Sequence, residues 1–125
     1  NTFLAVALDA PEKSQIVRTT TGHSLVAPEV MPFELGNALT AMLKRGTLSA
    51  EEVPGAWEAV QMIPVELRPL DIPSALGIAV RFGTYAYDAY FLECASSLRL
   101  PLLTLDRGMK HIARELNVSL LELLQ

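Results

Sequence analysis

The chain has 125 residues, of which half are hydrophobic and 19% are charged, and its formal net charge is −4. This length suits one domain with a sizeable core, residues 1–125, and this composition is typical of a globular protein and excludes a disordered one. Because the overall charge is negative, a surface that binds phosphate groups would have to be local.

The predicted elements alternate between helices and short strands. The first segment, TFLAVAL, has the pattern of a helix or a buried strand and is far too short to cross a bilayer. The pattern then predicts a short helix over residues 12–20, a short buried strand over 23–28 and a long amphipathic helix over 29–46. Lys44, Arg45 and Gly46 form a typical helix C-terminal signal.

Capping signals mark the elements of the second half. Ser49 and Glu52 have the spacing of a capping box, which predicts a helix to about Ile63, and Asp71 can cap a helix that stops at Gly83. The remaining pattern predicts strands over residues 64–70, 100–105 and 118–123, and helices over 86–98 and 107–116. Strands that alternate with helices indicate an α/β domain of three layers, in which helices flank a central parallel sheet.

Two carboxylates occupy positions where the apolar pattern predicts hydrophobic residues. Asp88 falls on the buried stripe of helix 86–98, and Asp106 ends the strand 100–105. Glu34 lies at the edge of the core face of helix 29–46. That core face is formed by Met31, Leu35, Ala38, Leu39 and Met42. Ligands of open α/β sheets bind beyond the carboxyl ends of the strands, so we expect the three acids to meet there.

Each acid also has a structural interpretation. Asp88 is close enough to a helix start to cap it or to pair with its dipole. Asp106 precedes Arg-Gly and can be a turn residue or an N-cap, and Glu34 can be a solvated residue at a helix edge. If the three carboxylates do converge, they repel one another unless a cation joins them. Oxygen ligands of this kind select Mg²⁺ or Mn²⁺.

Three motifs in order, APEVMPFELGNAL, YDAYFLECA and LLTLDRGM, resemble those of the PIN domain family. More narrowly, the chain is similar to the VapC-type toxins of bacterial and archaeal toxin–antitoxin pairs, over nearly its whole length. The resemblance implies a Rossmann-like three-layer fold and a Mg²⁺- or Mn²⁺-dependent endoribonuclease that cuts RNA. It implies that Glu34, Asp88 and Asp106 are the catalytic and metal-binding residues. Thr104 matches a small polar position often seen beside the metal, and Asn37 either braces the site or is a polar residue at a helix edge.

The resemblance departs from the family pattern at the start of the chain. PIN domains begin with a strand that ends in an Asp, and that Asp would lie two positions before Asn1. Asp9 is a poor substitute because it follows the apolar segment. We therefore expect that the first strand and its acid are missing from this chain. The alternative function is then a catalytically inactive PIN-like module that binds a protein or RNA partner.

Partners and location complete the expectations. The resemblance implies a cognate antitoxin protein and a homodimer, and the high apolar fraction favours the latter, with helices 49–63 and 72–82 as candidate interfaces. Cys94 is the single cysteine, which suits the reducing cytoplasm, and it is expected to pack as a small hydrophobic residue. The pattern contains no zinc-ligand spacing.

A basic stripe follows Asp106 directly. Its residues recur at helical spacing: Arg107, Lys110, His111 and Arg114. Such a stripe can hold an RNA backbone through charge, or it can be an ordinary solvated helix face.

Overall fold

The computed structural model describes residues 11–123, and these residues form six helices and one short parallel sheet. The helices are α1 (Lys13–Thr20), α2 (Met31–Arg45), α3 (Glu52–Gln61), α4 (Ile72–Phe82), α5 (Ala86–Leu98) and α6 (Arg107–Glu115). The strands are β1 (Val26–Pro28) and β2 (Glu66–Arg68). The expectations for TFLAVAL and for Asp9 lie outside the described residues.

The sheet confirms that the chain is a mixed α/β protein with parallel strands. β1 pairs with β2 in parallel, with Val26 opposite Glu66 and Pro28 opposite Arg68. The predicted strands over residues 23–28 and 64–70 are therefore present, in shorter form. Within residues 11–123 the sheet has two strands, which are too few to define three layers.

The strands predicted over residues 100–105 and 118–123 are reduced to one isolated parallel bridge between Leu102 and Leu120. Leu102 N donates to the carbonyl oxygen of Ser119 at 2.8 Å, and Leu121 N donates to that of Leu102 at 2.9 Å. Pro101 has no N–H to donate, which weakens hydrogen bonding at the start of the segment. An apolar run favours a strand, but the strand exists only where a neighbour supplies hydrogen bonds.

The helices follow their terminal signals closely. Asp71 Oδ1 accepts a hydrogen bond from Ser74 N at 3.1 Å and so caps α4, as predicted. Gly46 and Gly83 end α2 and α4 in the left-handed conformation, with φ of 77° and 66°. That conformation is accessible to glycine because it has no Cβ. Half of the predicted capping box is present, since Ser49 N donates to a carboxylate oxygen of Glu52 at 2.9 Å.

The core consists of two clusters that meet along α5. The first cluster packs β1, α2 and α3 together, and it includes the predicted core residues Met31, Leu35 and Leu39. The second packs α5 and α6 with the Leu102 segment. Phe91 packs against the first cluster, whereas Leu92, the next residue of α5, belongs to the second. Helix α5 thus contributes side chains to both clusters.

One helix face stays apolar and exposed. Ile72, Leu76 and Val80 of α4 are 48%, 46% and 84% exposed. They recur every four residues and therefore form one stripe along the helix.

Among the described helices, none has both the length and the apolar character needed to cross a membrane.

Candidate acidic cleft

A cleft of about 640 Å³ is lined by β1, by the start of α5 and by residues 100–106. All three predicted acids, Glu34, Asp88 and Asp106, line this cleft. Each stands at the beginning of a helix: Glu34 in the first turn of α2, Asp88 in the first turn of α5 and Asp106 at the N-cap of α6. Helix N-termini carry partial positive charge, so these positions stabilise carboxylates.

Asp88 is half-buried and is held by one hydroxyl group. Thr84 Oγ1 donates a hydrogen bond to Asp88 Oδ2 at 3.3 Å. Burial raises the pKa of Asp88, the negative charge of Asp106 raises it further, and the hydrogen bond from Thr84 lowers it. These two carboxylates come from different elements and line the same cleft, where the charge of Asp106 disfavours ionisation of Asp88.

Asp106 is exposed and caps α6. Its Oδ1 accepts from Met109 N at 2.9 Å, which confirms the N-cap interpretation of this residue. A Cβ at position 108 would lie 3.1 Å from the same oxygen, so Gly108 leaves room for the carboxylate. One oxygen of Asp106 thus has a structural role, and the cap fixes where the rest of the carboxylate lies beside the cleft.

Thr104 supports Asp106 from the preceding segment. Its Oγ1 accepts from Asp106 N at 3.1 Å and donates to Met109 Sδ at 3.6 Å. The hydroxyl therefore joins the backbone of Asp106 to the side chain of the residue that Asp106 caps. Thr104 therefore holds the Asp106 turn, whereas its expected place beside a metal ion stays a prediction.

Glu34 reaches the cleft from the first turn of α2. Its side chain is half-buried, and its Oε2 atom is fully buried. The Glu34 carboxylate is therefore more buried than that of a solvated residue at a helix edge. Asn37, one turn later, is exposed and is not among the residues that line the cleft.

The fit of a divalent cation depends on how closely these acids approach. Within residues 11–123, no three His, Cys, Asp or Glu side chains are grouped so that they could hold a metal ion. Asp88 and Asp106 form an interacting pair, and Mg²⁺ in proteins is often held by one or two carboxylates together with water. Asp88 and Asp106 are thus the candidate carboxylate ligands whose charges interact in this cleft, which Glu34 also lines. The assignment of all three as metal ligands stays a prediction.

Sequence reasoning missed Thr84. Its contact with Asp88 joins residues four apart, which is the spacing of neighbours on one helix face. That spacing is visible in the sequence. However, Thr84 precedes α5, so the contact depends on how the chain enters the helix.

Sequence reasoning also missed Glu93, which is 7% exposed and lies next to Cys94 on α5. Burial and the charge of Glu93 raise the pKa of the Cys94 thiol, and Arg68 lowers it. Cys94 is buried, so its expected role as a packed small residue is confirmed.

Comparison with known protein families finds no matching family model. Comparison with curated proteins finds no match. The resemblance to PIN domains therefore stays a prediction from the order of the three sequence motifs.

Proposed function

We propose that this chain is a PIN-like endoribonuclease of the VapC toxin type, which hydrolyses RNA phosphodiester bonds with Mg²⁺ or Mn²⁺. The observation that carries the proposal is that Glu34, Asp88 and Asp106 line one cleft, in which the charge of Asp106 helps to raise the pKa of Asp88. Among the three acids only the Asp106 side chain caps its helix, and the partial positive charge of a helix N-terminus accounts for each acid separately. It does not account for three helices that begin with an acid at the same cleft.

The residues of the cleft have different roles in the proposed cation site. Asp88 and Asp106 would hold the cation, and Thr84 and the α6 cap orient their carboxylates. When bound, the ion supplies Lewis acidity and lowers the pKa of water. Glu34, with its buried Oε2, adds negative charge on the α2 side of the cleft. Without a cation this concentration of charge would repel an RNA phosphate, so substrate binding and cation binding depend on each other.

The finer fold proposal is a three-layer, Rossmann-like PIN domain. Its support is that both strand pairings, β1 with β2 and Leu102 with Leu120, are parallel. Residues of β1 and of the Leu102 segment line the same cleft. These pairings are the pieces from which a central parallel sheet flanked by helices is built.

The partners proposed are an antitoxin protein and a second copy of this chain, in the cytoplasm. The exposed stripe on α4 supports the homodimer, because a regular row of apolar side chains gains free energy when a partner covers it. It lies on one of the two helices expected from the sequence to form the interface. The proposed antitoxin would cover the acidic cleft.

The test is cleavage of a mixed-sequence RNA by the full-length protein in Mg²⁺, in Mn²⁺ and in EDTA. We expect cleavage with either ion and none in EDTA. Asp88→Asn should abolish cleavage, because it removes a cation ligand without changing the size of the side chain. Asp71→Asn is the matched control, since Asp71 caps α4 and does not line the cleft. Equal cleavage by the parent and Asp88→Asn would disprove the proposed site.

The second candidate is a catalytically inactive module that binds RNA or a protein. It is favoured by one observation, which is that the described acids interact as a pair and do not form a group of three ligands. It predicts RNA binding that leaves the RNA intact in both ions. The same cleavage assay, run beside a binding assay, separates the two functions.

A further inference from the structure

The exposed face of α6 carries an unusual concentration of positive charge. We call it the basic face, and it consists of Arg107, Lys110, His111 and Arg114. Arg107, His111 and Arg114 are exposed, whereas the opposite side of α6 buries Ile112 and Ala113 in the second core cluster. Three of the ten Lys and Arg residues of the chain thus lie within one nine-residue helix. That helix contains one acid, Glu115, in a protein whose net charge is −4.

The Arg and Lys residues of the basic face have no ion-pair partner among the described residues, which distinguishes them from several other cations of the chain. Arg68 forms an ion pair with Glu66 at 2.9 Å, and the Arg81 guanidinium lies 4.7 Å from the centre of the Phe82 ring. Residues 44–45 are in the last turn of α2, where positive charge complements the helix dipole. No described acid forms a salt bridge with any residue of the basic face. Its charge therefore remains available to a ligand.

The basic face also starts directly after a residue that lines the acidic cleft. Arg107 directly follows Asp106, which lines the cleft, and Arg114 lies seven residues further along α6. At a rise of about 1.5 Å per residue, this distance is about 10 Å. A stacked nucleic acid strand rises about 3.4 Å per nucleotide, so the face matches about three phosphates. The face has no large apolar side chain that could enter a lipid bilayer.

We propose that the basic face is the surface that holds the RNA backbone beside the acidic cleft. The choice of RNA as the polyanion rests on the proposed ribonuclease function, whereas the charge complementarity rests on α6 itself. The face binds phosphates through charge and therefore without sequence preference. It keeps the strand close to a cleft that, without a cation, would repel it.

The test is the salt dependence of RNA binding to the full-length protein in EDTA, where the RNA stays intact. Fluorescence anisotropy of a labelled 20-nucleotide single strand gives the Kd between 50 and 200 mM salt. Each neutralised phosphate contributes about 0.7 to the slope of log K against log salt. The triple variant Arg107→Gln/Lys110→Gln/Arg114→Gln should lower the magnitude of the slope by about 2. The loss of affinity over this fourfold salt range should then be roughly twentyfold smaller than in the parent.

Two further variants keep the test decisive. Lys110→Gln/Arg114→Gln keeps Arg107 beside the cap and should lower the slope by about 1.4, should the triple variant fold poorly. Lys44→Gln/Arg45→Gln is the matched control, because it removes two exposed cations from another helix. It should leave the slope unchanged. The proposal would be overturned if both α6 variants kept the parent's slope of log K against log salt. It would also be overturned if the control variant lowered that slope as much as the α6 variants do.

The outcome also separates this inference from the proposed function. If the parent binds RNA through the basic face but cuts none in Mg²⁺ or Mn²⁺, the ribonuclease proposal fails and the surface stands. If the parent cuts RNA and the triple variant binds and cuts equally well, the surface fails and the ribonuclease stands. Vesicles that contain phosphatidylserine provide the other polyanion. If they bind the basic face more tightly than RNA does, RNA is the wrong occupant.

Discussion

Asp106 has two separate effects in the structure, and two substitutions distinguish them. Its Oδ1 caps α6 through Met109 N, and its negative charge raises the pKa of Asp88. Asparagine keeps a hydrogen-bond acceptor at the cap and removes the charge. Alanine removes both. We therefore expect Asp106→Asn to keep the α6 cap and to remove the repulsion with Asp88. Asp106→Ala should remove both the repulsion and the cap.

The two effects are similar in size. Asn and Asp are equally good N-caps, whereas replacement by Ala costs about 1 kcal/mol, within a range of about 0.5–2. Asp106 is exposed, so water screens its charge. At a separation on the order of 6 Å and an effective dielectric of about 60, the repulsion from Asp88 is about 1 kcal/mol. The Asn variant should thus be more stable than the parent by up to about 1 kcal/mol, and the Ala variant should be close to the parent.

The assay is thermal unfolding in EDTA at pH 7 and low salt, beside RNA cleavage in Mg²⁺. We expect the Tm of Asp106→Asn to exceed that of Asp106→Ala by roughly 3–5 °C. Both variants should lose cleavage, because both lose a cation ligand. Asp71→Asn, at the cap of α4, should keep its cleavage. An Asn variant that unfolds earlier than the parent yet still cuts RNA would refute the reasoning and leave Asp106 a purely structural residue.

Three further predictions concern pH, cation binding and assembly. Because the folded-state pKa of Asp88 lies above its ordinary value of 3.8, the native state binds this proton more tightly than the unfolded state. Ionisation of Asp88 therefore destabilises the folded parent: the effect is absent below pH 3.8 and complete above the raised pKa. In urea unfolding, the free energy of unfolding of Asp88→Asn should exceed that of the parent by an amount that grows as pH rises through that window. An advantage that does not vary with pH would contradict this. Mg²⁺ at ten times its Kd should stabilise the parent by about 1.4 kcal/mol in thermal unfolding. An equal shift in Asp106→Asn would exclude Asp106 as a ligand. Light scattering should give the parent a mass of twice 13.6 kDa. Leu76→Asp should give the monomer mass, whereas Val17→Asp should not, since Val17 is equally exposed at 46% but lies on α1; a monomeric parent would rule out the dimer.

The sequence by itself determined the helices, because the signals that define a helix are local. The apolar period and the start and stop residues lie within the segment they describe, and backbone hydrogen bonds join residues four apart. Helix α5 occupies Ala86–Leu98, as the pattern predicted, and Asp71 and Gly83 bound α4 as expected. The cap at Asp106 is equally local, since its donor is Met109 N, three residues further along the chain.

The strands and the site depended on tertiary structure. A strand needs a neighbour to satisfy its hydrogen bonds, so an apolar run over residues 100–105 could predict a strand but not its partner, and one bridge at Leu102 is what formed. The three acids were identifiable as a set from the order of their motifs. Their arrangement was not, because the distance between side chains on different elements is set by packing. Packing of α2, α5 and the Leu102 segment places Glu34, Asp88 and Asp106 in the lining of one cleft, where the charge of Asp106 acts on Asp88. The exposure of the α4 stripe has the same origin, since a helical period shows which side chains share a face, whereas only the packed fold decides whether that face is covered.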